Sequence, residues 1–153
     1  MTVQTSAGCA LLIGTTSANA ASDTFLPVGE ITNIPEFGRV YQEITHNSVG
    51  DRSTKKFKGS YNEGSITLTL GRDVSDAGQA AMVAARDSDA DFNFKVTLND
   101  APSTGASPKP TTYLFKAKVM SFTTNIGGPN QIVGASAMIG ISGAITETAA
   151  SAT

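Results

Sequence analysis

Residues 92–98 read FNFKVTL, in which every second residue is apolar and the positions between them are polar. Such alternation is typical of a β-strand with one face on a hydrophobic core, because successive side chains of a strand point to opposite faces. Similar alternation occurs in SITLTL at residues 65–70 and in YLFKAKVM at residues 113–120. These three stretches predict a mainly β domain.

Further strands are expected on the N-terminal side of these three. Residues 7–15 form an apolar run that predicts a first strand. Residues 25–34 and 39–45 are rich in β-branched and aromatic residues, and Pro35 and Gly38 mark a break between them. We therefore expect two more strands there, separated by a turn.

A single helix is predicted over residues 75–86, where alanine dominates and the alternation stops. Asp73, Ser75 and Asp76 suit its N-cap or first turn, because their side-chain oxygens can accept hydrogen bonds from free backbone N–H groups. The stretches 46–63 and 101–112 are polar or rich in proline, so the residues alone predict irregular structure there.

The segment from residue 132 to 145 predicts a last strand with two unlike faces, joined to the preceding strand by a turn at residues 127–130. The face expected in the core comprises Val133, Ala135, Ala137, Ile139, Ile141 and Ile145. The other face consists almost entirely of small residues: Gly134, Ser136, Met138, Gly140, Ser142 and Ala144. Because small residues let another backbone approach closely, this face is either exposed to solvent or a contact with another subunit.

The composition limits both the number of domains and the kind of function. The 153 residues fit one domain, with an N-terminal strand and arm at residues 1–24 and a flexible tail at 147–153. Alanine, glycine, serine and threonine contribute 69 residues, which suits flat contact surfaces more than a deep pocket. A net charge of -2 with only 16% charged residues disfavours a strongly basic nucleic-acid-binding protein.

The residues needed for common catalytic and metal sites are scarce. One cysteine and one histidine exclude a disulfide within the chain and most zinc sites. Cys9 lies in an apolar run and is expected to be buried and inert, and His46, where a strand enters a polar loop, is expected to be structural. No nucleophile elbow, phosphate-binding loop or dinucleotide fingerprint occurs. We therefore expect no enzymatic activity and no cofactor.

The aspartates at positions 87, 89 and 91 alternate like the first ligands of a calcium-binding loop. In an EF-hand the sixth position is glycine and the twelfth is glutamate. Here those positions are Phe92 and Leu98, so the segment is not an EF-hand and no metal site is predicted.

The start of the chain permits an alternative interpretation. Residues 8–14 read GCALLIG and are followed by ANA at 18–20, a layout that suits a short signal peptide and its cleavage site. Against this interpretation, no Lys or Arg occurs before Arg39. If it holds, the chain is a secreted or surface β-sandwich binding module that begins near Ala21 or Ser22. No apolar run is long enough for a membrane-spanning helix.

Charge is distributed unevenly along the chain. Residues 46–60 carry a net charge of +3, from Arg52, Lys55, Lys56 and Lys58 against Asp51. Residues 73–91 carry a net charge of -4, from Asp73, Asp76, Asp87, Asp89 and Asp91 against Arg86. The two segments are either complementary patches for self-association or two solvated surfaces.

Six short segments between residues 25 and 146 follow one another in a specific order and spacing. They are VGEITNI at 28–34, EITH at 43–46, GSITLTL at 64–70, DAGQAA at 76–81, FKAKVMSF at 115–122 and IGISGAI at 139–145. In this order, spacing and total length the chain resembles the major tail tube proteins of long-tailed, siphovirus-type bacteriophages. A tube protein of a contractile tail or a secretion system would share the fold.

The resemblance implies a β-sandwich or barrel with one flanking α-helix and a long β-hairpin loop, here residues 46–61, that reaches the neighbouring ring. It implies a structural virion protein without catalysis, assembled into hexameric rings that stack into a hollow tube through which DNA is delivered to the host. The implied partners are further copies of the chain and the tape measure, distal tail and tail terminator proteins, with no membrane contact. The implied location is the phage tail, after assembly in the host cytoplasm.

Combining the resemblance with the charge distribution gives a hypothesis for the contact between rings. The basic loop residues Arg52, Lys55, Lys56 and Lys58 would meet an acidic surface of an adjacent ring. The candidate acidic residues are Asp73, Asp76, Asp87, Asp89 and Asp91. DNA would pass the channel without specific binding, for which a mildly acidic lining is expected because it repels phosphates.

Overall fold

The main structural unit is an antiparallel sheet in which distant parts of the sequence lie side by side. The computed structural model describes residues 3–15 and 19–153. The strands of this sheet are β1 (Ala10–Gly14), β2 (Phe25–Pro27), β3 (Ile31–Asn33), β6 (Ser65–Gly71), β7 (Phe92–Thr97), β8 (Thr112–Asn125), β9 (Gly134–Ile141) and β10 (Thr146–Thr148). Their order in the sheet is β2-β1-β7-β8-β9-β6-β3, and β10 pairs with the start of β8. A separate hairpin comprises β4 (Val40–His46) and β5 (Lys55–Asn62), and the α-helix α1 spans Ala77–Arg86.

One face of the main sheet forms the hydrophobic core, as the alternation predicts. Ile66, Leu68 and Leu70 of β6 are buried, while the residues between them are exposed. The same alternation buries Phe94 and Val96 of β7. The mainly β fold and the strands predicted from periodicity are therefore confirmed.

Helix α1 closes this core, because Met82 and Ala85 are buried in the same cluster as the strand side chains. Asp76 is the N-cap: its carboxylate accepts hydrogen bonds from Gln79 N (2.9 Å) and Gly29 N (3.1 Å). The buried Gln79 amide donates to the carbonyl oxygens of Gly29 and Gly71 at 3.1 and 2.8 Å. The start of the helix is thereby fixed to two connections of the sheet.

Three local expectations differ from the structure. Residues 25–34 form two strands, because the chain turns at Glu30 (φ 61°) and crosses from the β1 edge of the sheet to the β6 edge. Val133 is exposed, since β9 pairing begins at Gly134. Instead of a loose tail, residues 146–148 pair with β8, and Ser151 bridges to Lys109.

Candidate assembly surfaces

The β4–β5 hairpin forms a surface of its own, outside the main sheet. Every residue of Val40–His46 is exposed, and in Lys55–Asn62 Gly59 alone is half-buried. We call Val40–Asn62 the arm, which is distinct from the N-terminal arm expected at residues 1–24. The resemblance implied a hairpin in this region, and it is present, although the residues alone predicted irregular structure between 46 and 63. None of the arm residues belongs to the hydrophobic core, so the conformation of the arm depends on contacts within the hairpin and at its root.

The arm has two faces of different chemistry, because directly paired residues of an antiparallel hairpin project to the same side. A bulge places Gly59 and Ser60 opposite Gln42 and sets which residues share a face. The polar face carries Tyr41, Glu43, Thr45, Lys56, Lys58 and Tyr61. The other face, which we call the apolar face, carries Val40, Ile44 and Phe57, exposed by 70%, 49% and 55%, together with the polar Gln42 and Asn62, and ends at His46 and Lys55.

The root of the arm is held by stacked aromatic and cationic groups. The Arg39 guanidinium lies 4.0 Å from the centroid of the Tyr61 ring, and the Tyr41 and Tyr61 rings meet edge to face at 5.5 Å. Lys58 Nζ lies 4.7 Å from the centroid of Tyr41. Hydrogen bonds to the Tyr41 hydroxyl and to Glu63 raise the pKa of Arg39. These contacts hold the two strands of the arm together at its root.

The four basic residues predicted from the sequence lie on different parts of the arm. Lys56 and Lys58 lie on the polar face, where Lys56 Nζ is 3.5 Å from Glu43 Oε2. Lys55 lies at the end of the apolar face, paired with His46, and Arg52 is in the exposed loop between the strands. His46 is thus at the end of a strand that enters a polar loop, where the sequence placed it.

The five predicted acidic residues also separate, into groups at the two ends of α1. Asp73 and Asp76 precede the helix, and Asp73 accepts hydrogen bonds from the Ser75 hydroxyl (2.6 Å) and amide (3.0 Å), which lower its pKa. Asp87, Asp89 and Asp91 follow the helix, and two of them pair with cations of their own chain. Arg86 Nε is 3.1 Å from Asp87, and Lys118 Nζ is 2.7 Å from Asp91, whose pKa Lys118 lowers.

The predicted small-residue face belongs to β9, between β6 and β8. Gly134, Ser136 and Gly140 are half-buried, whereas Met138 is exposed. Ser142 follows the strand, and its hydroxyl donates to Asp91 Oδ1 at 3.0 Å. The exposed Met120 side chain lies over Gly140, so Met120 and Met138 project from a face whose other residues have small side chains.

The sequence did not identify a second exposed apolar surface, at the end of the β8–β9 hairpin. We call it the end patch, and it comprises Val74, Ile126, Ile132 and Val133. A backbone hydrogen bond of 2.9 Å from Arg72 N to Val133 O holds the segment before α1 beside β9. Ile132, at 87% exposure, is among the most exposed large apolar side chains, and Asp73 adjoins Val74 in the sequence.

A cavity of about 630 Å³ opens between the first strand, β3 and β8. Its walls are mainly apolar side chains, including Val28, Ile31, Phe37 and Tyr113. Cys9 lines it and is half-buried, whereas the sequence predicted a buried thiol.

Within residues 3–15 and 19–153, no three His, Cys, Asp or Glu side chains are grouped to hold a metal ion. No helix in the same two ranges is long and apolar enough to cross a membrane.

Comparison with known proteins gives matches at the level of structure. The sequence matches no protein-family model and no curated protein sequence. A chain of the anti-feeding prophage (AFP) baseplate superposes with a TM-score of 0.70 at 14% identity, covering 97% of both chains. The SPP1 tail tube protein gives 0.67 at 18% identity over 92% of this chain and 76% of its own. A chain of the tail of an empty GTA particle gives 0.62 at 18% identity, over 91% and 96%. With these matches and one α-helix beside an antiparallel sheet in the described part of the chain, the chain has the fold of tail tube proteins.

Proposed function

We propose that the chain is a structural subunit that self-assembles into stacked hexameric rings, which form a hollow tail tube for the delivery of DNA to a host. The observation that carries this proposal is the arm, a hairpin that exposes Val40, Ile44 and Phe57 on a domain with the tail-tube fold. Exposed apolar side chains on a hairpin are unfavourable in an isolated protein and are stabilised by burial against a partner.

The symmetry of structurally similar assemblies supports the hexamer. The AFP baseplate structure is sixfold symmetrised, and the GTA tail structure has C6 symmetry. For this chain we propose the same closed ring, with the small-residue face of β9 as a candidate contact between subunits. The tape measure, distal tail and tail terminator proteins are the proposed partners, and the virion tail, assembled in the host cytoplasm, is the proposed location.

The proposed channel must let DNA slide, so its lining cannot be strongly basic. On the face of the main sheet opposite the core, Lys95, Lys116 and Lys118 lie on neighbouring strands. Lys118 is paired with Asp91, and Lys95 Nζ lies 4.3 Å from the centroid of the Phe25 ring. If this face lines the channel, these pairings reduce its affinity for phosphate. A strongly positive lumen in the assembled tube would contradict this part of the proposal.

The alternative, a secreted β-sandwich module, is disfavoured by the position of β1. Cleavage near Ala21 would remove β1, which lies between β2 and β7 in the sheet. Leu11 and Ile13 of this strand are completely buried in the core. Loss of two such side chains costs several kcal/mol, which is a large part of the stability of a small domain.

Negative-stain electron microscopy of the concentrated purified protein tests the proposal. We expect hollow tubes of uniform width, whereas a protein that stays monomeric at high concentration would contradict it. Mass spectrometry of the N-terminus tests the alternative, since a tube subunit retains residues 2 onward and a processed module begins near Ala21 or Ser22.

A further inference from the structure

The apolar face of the arm is built to make a contact. Val40, Ile44 and Phe57 lie along one side of the hairpin, and the bulge at Gly59 leaves room for the Ile44 side chain. A Cβ atom added to Gly59 would lie 3.0 Å from Ile44 Cδ1, closer than ordinary packing allows. The absence of a side chain at Gly59 therefore leaves the space that Ile44 occupies beside its paired residue Phe57.

The end patch is a second apolar surface on the same chain. Val74, Ile126, Ile132 and Val133 come from three segments that the backbone brings together, because Asn125 pairs with Gly134 and Arg72 N donates to Val133 O. Segments that are distant in the sequence and meet in one exposed apolar surface indicate an interaction site more strongly than scattered single residues do.

Of the two acidic groups, at the start and at the end of α1, the charges favour the group at the start as the one beside a contact of the apolar face. Lys55 lies at the end of the apolar face, on the same side of the hairpin as Phe57. Asp87 and Asp91 already pair with Arg86 and Lys118. Asp73 adjoins the end patch, its carboxylate accepts hydrogen bonds from the neutral Ser75, and the nearby Arg72 directs its own hydrogen bonds to the Asp73 carbonyl and to Gln79. One contact can therefore join the two apolar surfaces and also place Lys55 near Asp73.

We infer that the apolar face of the arm in one copy docks on the end patch of an adjacent copy, with Lys55 beside Asp73. This inference rests on the proposed function and assigns the arm contact to the start of α1 instead of the segment at Asp87–Asp91. The contact joins two different surfaces, so each copy both gives an arm and receives one, and the contact can repeat along an assembly.

Cysteine cross-linking tests the inference in a Cys9→Ser background. Phe57→Cys and Val133→Cys are combined in one chain, the assembled protein is oxidised, and the products are separated on a non-reducing denaturing gel. Because every copy carries both cysteines, we expect a ladder of dimers, trimers and larger species. Microscopy of the same samples records whether tubes are present.

Two control pairs make the result specific. Thr45→Cys with Val133→Cys places the thiol on the polar face, and Phe57→Cys with Asp89→Cys tests the other end of α1. Both are expected to give little cross-linking. If Phe57→Cys/Val133→Cys does not assemble, the pair Ile44→Cys/Ile132→Cys tests the same contact.

Each outcome distinguishes this inference from the proposed function. Tubes in which neither apolar-face pair forms a ladder would overturn the inference and leave the tube proposal intact, as would a ladder from the Asp89 pair in place of the Val133 pair. A parent protein that forms no tubes would overturn both. Tubes with the expected ladder support both.

Discussion

Arg39 and Glu63 form an ion pair across the root of the arm, with Arg39 Nη2 2.7 Å and Nε 2.8 Å from the same oxygen, Glu63 Oε1. The Glu63 side chain is only 5% exposed, so its charge is compensated by the guanidinium and not by water. Arg39 precedes β4 and Glu63 follows β5, so the pair closes the two ends of the hairpin.

Glu63→Ala is therefore expected to lower the free energy of unfolding by about 1–3 kcal/mol, because the buried charge-assisted hydrogen bonds are lost. Urea denaturation of the dilute protein measures this. Glu43→Ala removes the exposed ion pair with Lys56 and should change stability by less than about 1 kcal/mol. Equal effects of the two substitutions would show that the pair at the root is no more important than a surface pair.

Reversing the charge of Lys55, Lys56 and Lys58 to Glu is expected to stop polymerisation and leave a folded monomer. The arm would then be negatively charged, and the acidic groups around α1 of an adjacent copy would repel it. Sedimentation and electron microscopy measure polymer, and circular dichroism checks folding. Lys109→Glu, an exposed lysine outside the arm, is the control and should polymerise normally. Normal tubes from the triple variant would refute an electrostatic role for the arm.

Gly78→Ala should destabilise the protein, although glycine-to-alanine substitution inside a helix usually stabilises by about 1 kcal/mol. A Cβ at residue 78 would overlap the carbonyl oxygen of Pro27 and lie 2.6 Å from Val28 Cα. The helix would have to move away from β2, at a cost of about 1–3 kcal/mol. Thermal unfolding measures the change, with Ala80→Ser on the exposed side of the helix as the control. A higher melting temperature for Gly78→Ala would contradict this packing.

Acid should destabilise the folded state through aspartates with lowered pKa values. Lys118 lowers the pKa of Asp91, and hydrogen bonds from Ser75 and Thr111 lower those of Asp73 and Asp100. Because these groups have lower pKa values when folded, the unfolded state binds more protons as the pH falls. The stabilisation is present above about pH 4 and is lost as the pH falls through the folded pKa values.

Unfolding free energies measured between pH 7 and 2 should therefore be level above about pH 5 and decrease in acid. Asp91→Asn removes one of these groups and should reduce the acid slope. Lys118→Met removes the cation that lowers the Asp91 pKa and should reduce the slope as well. An unchanged slope in both variants would show that this ion pair does not contribute to acid sensitivity.

Local periodicity was enough to predict the strands that cover the core. The stretches 65–70 and 92–98 match β6 and β7 within one residue, because alternate apolar side chains of each strand are buried in the core. The strand at 146–148 has no such pattern: its three residues are all exposed, and it forms only because β8 offers a free edge there. Short edge strands depend on the partner strand, which local sequence does not reveal.

The assembly surfaces were predictable in composition but not in geometry. Clustered lysines identified the arm as basic, yet the bulge opposite Gln42 decides that Tyr61 and Lys58, three residues apart, share one face. Cross-strand register is a tertiary property, so sequence spacing could not supply it. The end patch combines Val74 with Ile132 and Val133, and only the fold brings these residues to one surface.

The place of β9 in the sheet has a consequence for synthesis on the ribosome. Gly134–Ile141 pairs with both β6 and β8, so a nascent chain that ends before residue 134 has neither of these sheet contacts. Pairings between distant segments also form slowly, because loop closure must precede them. The subunit therefore completes its core only when translation of this region has finished. If the chain assembles as proposed, copies can therefore polymerise only after this region has left the ribosome.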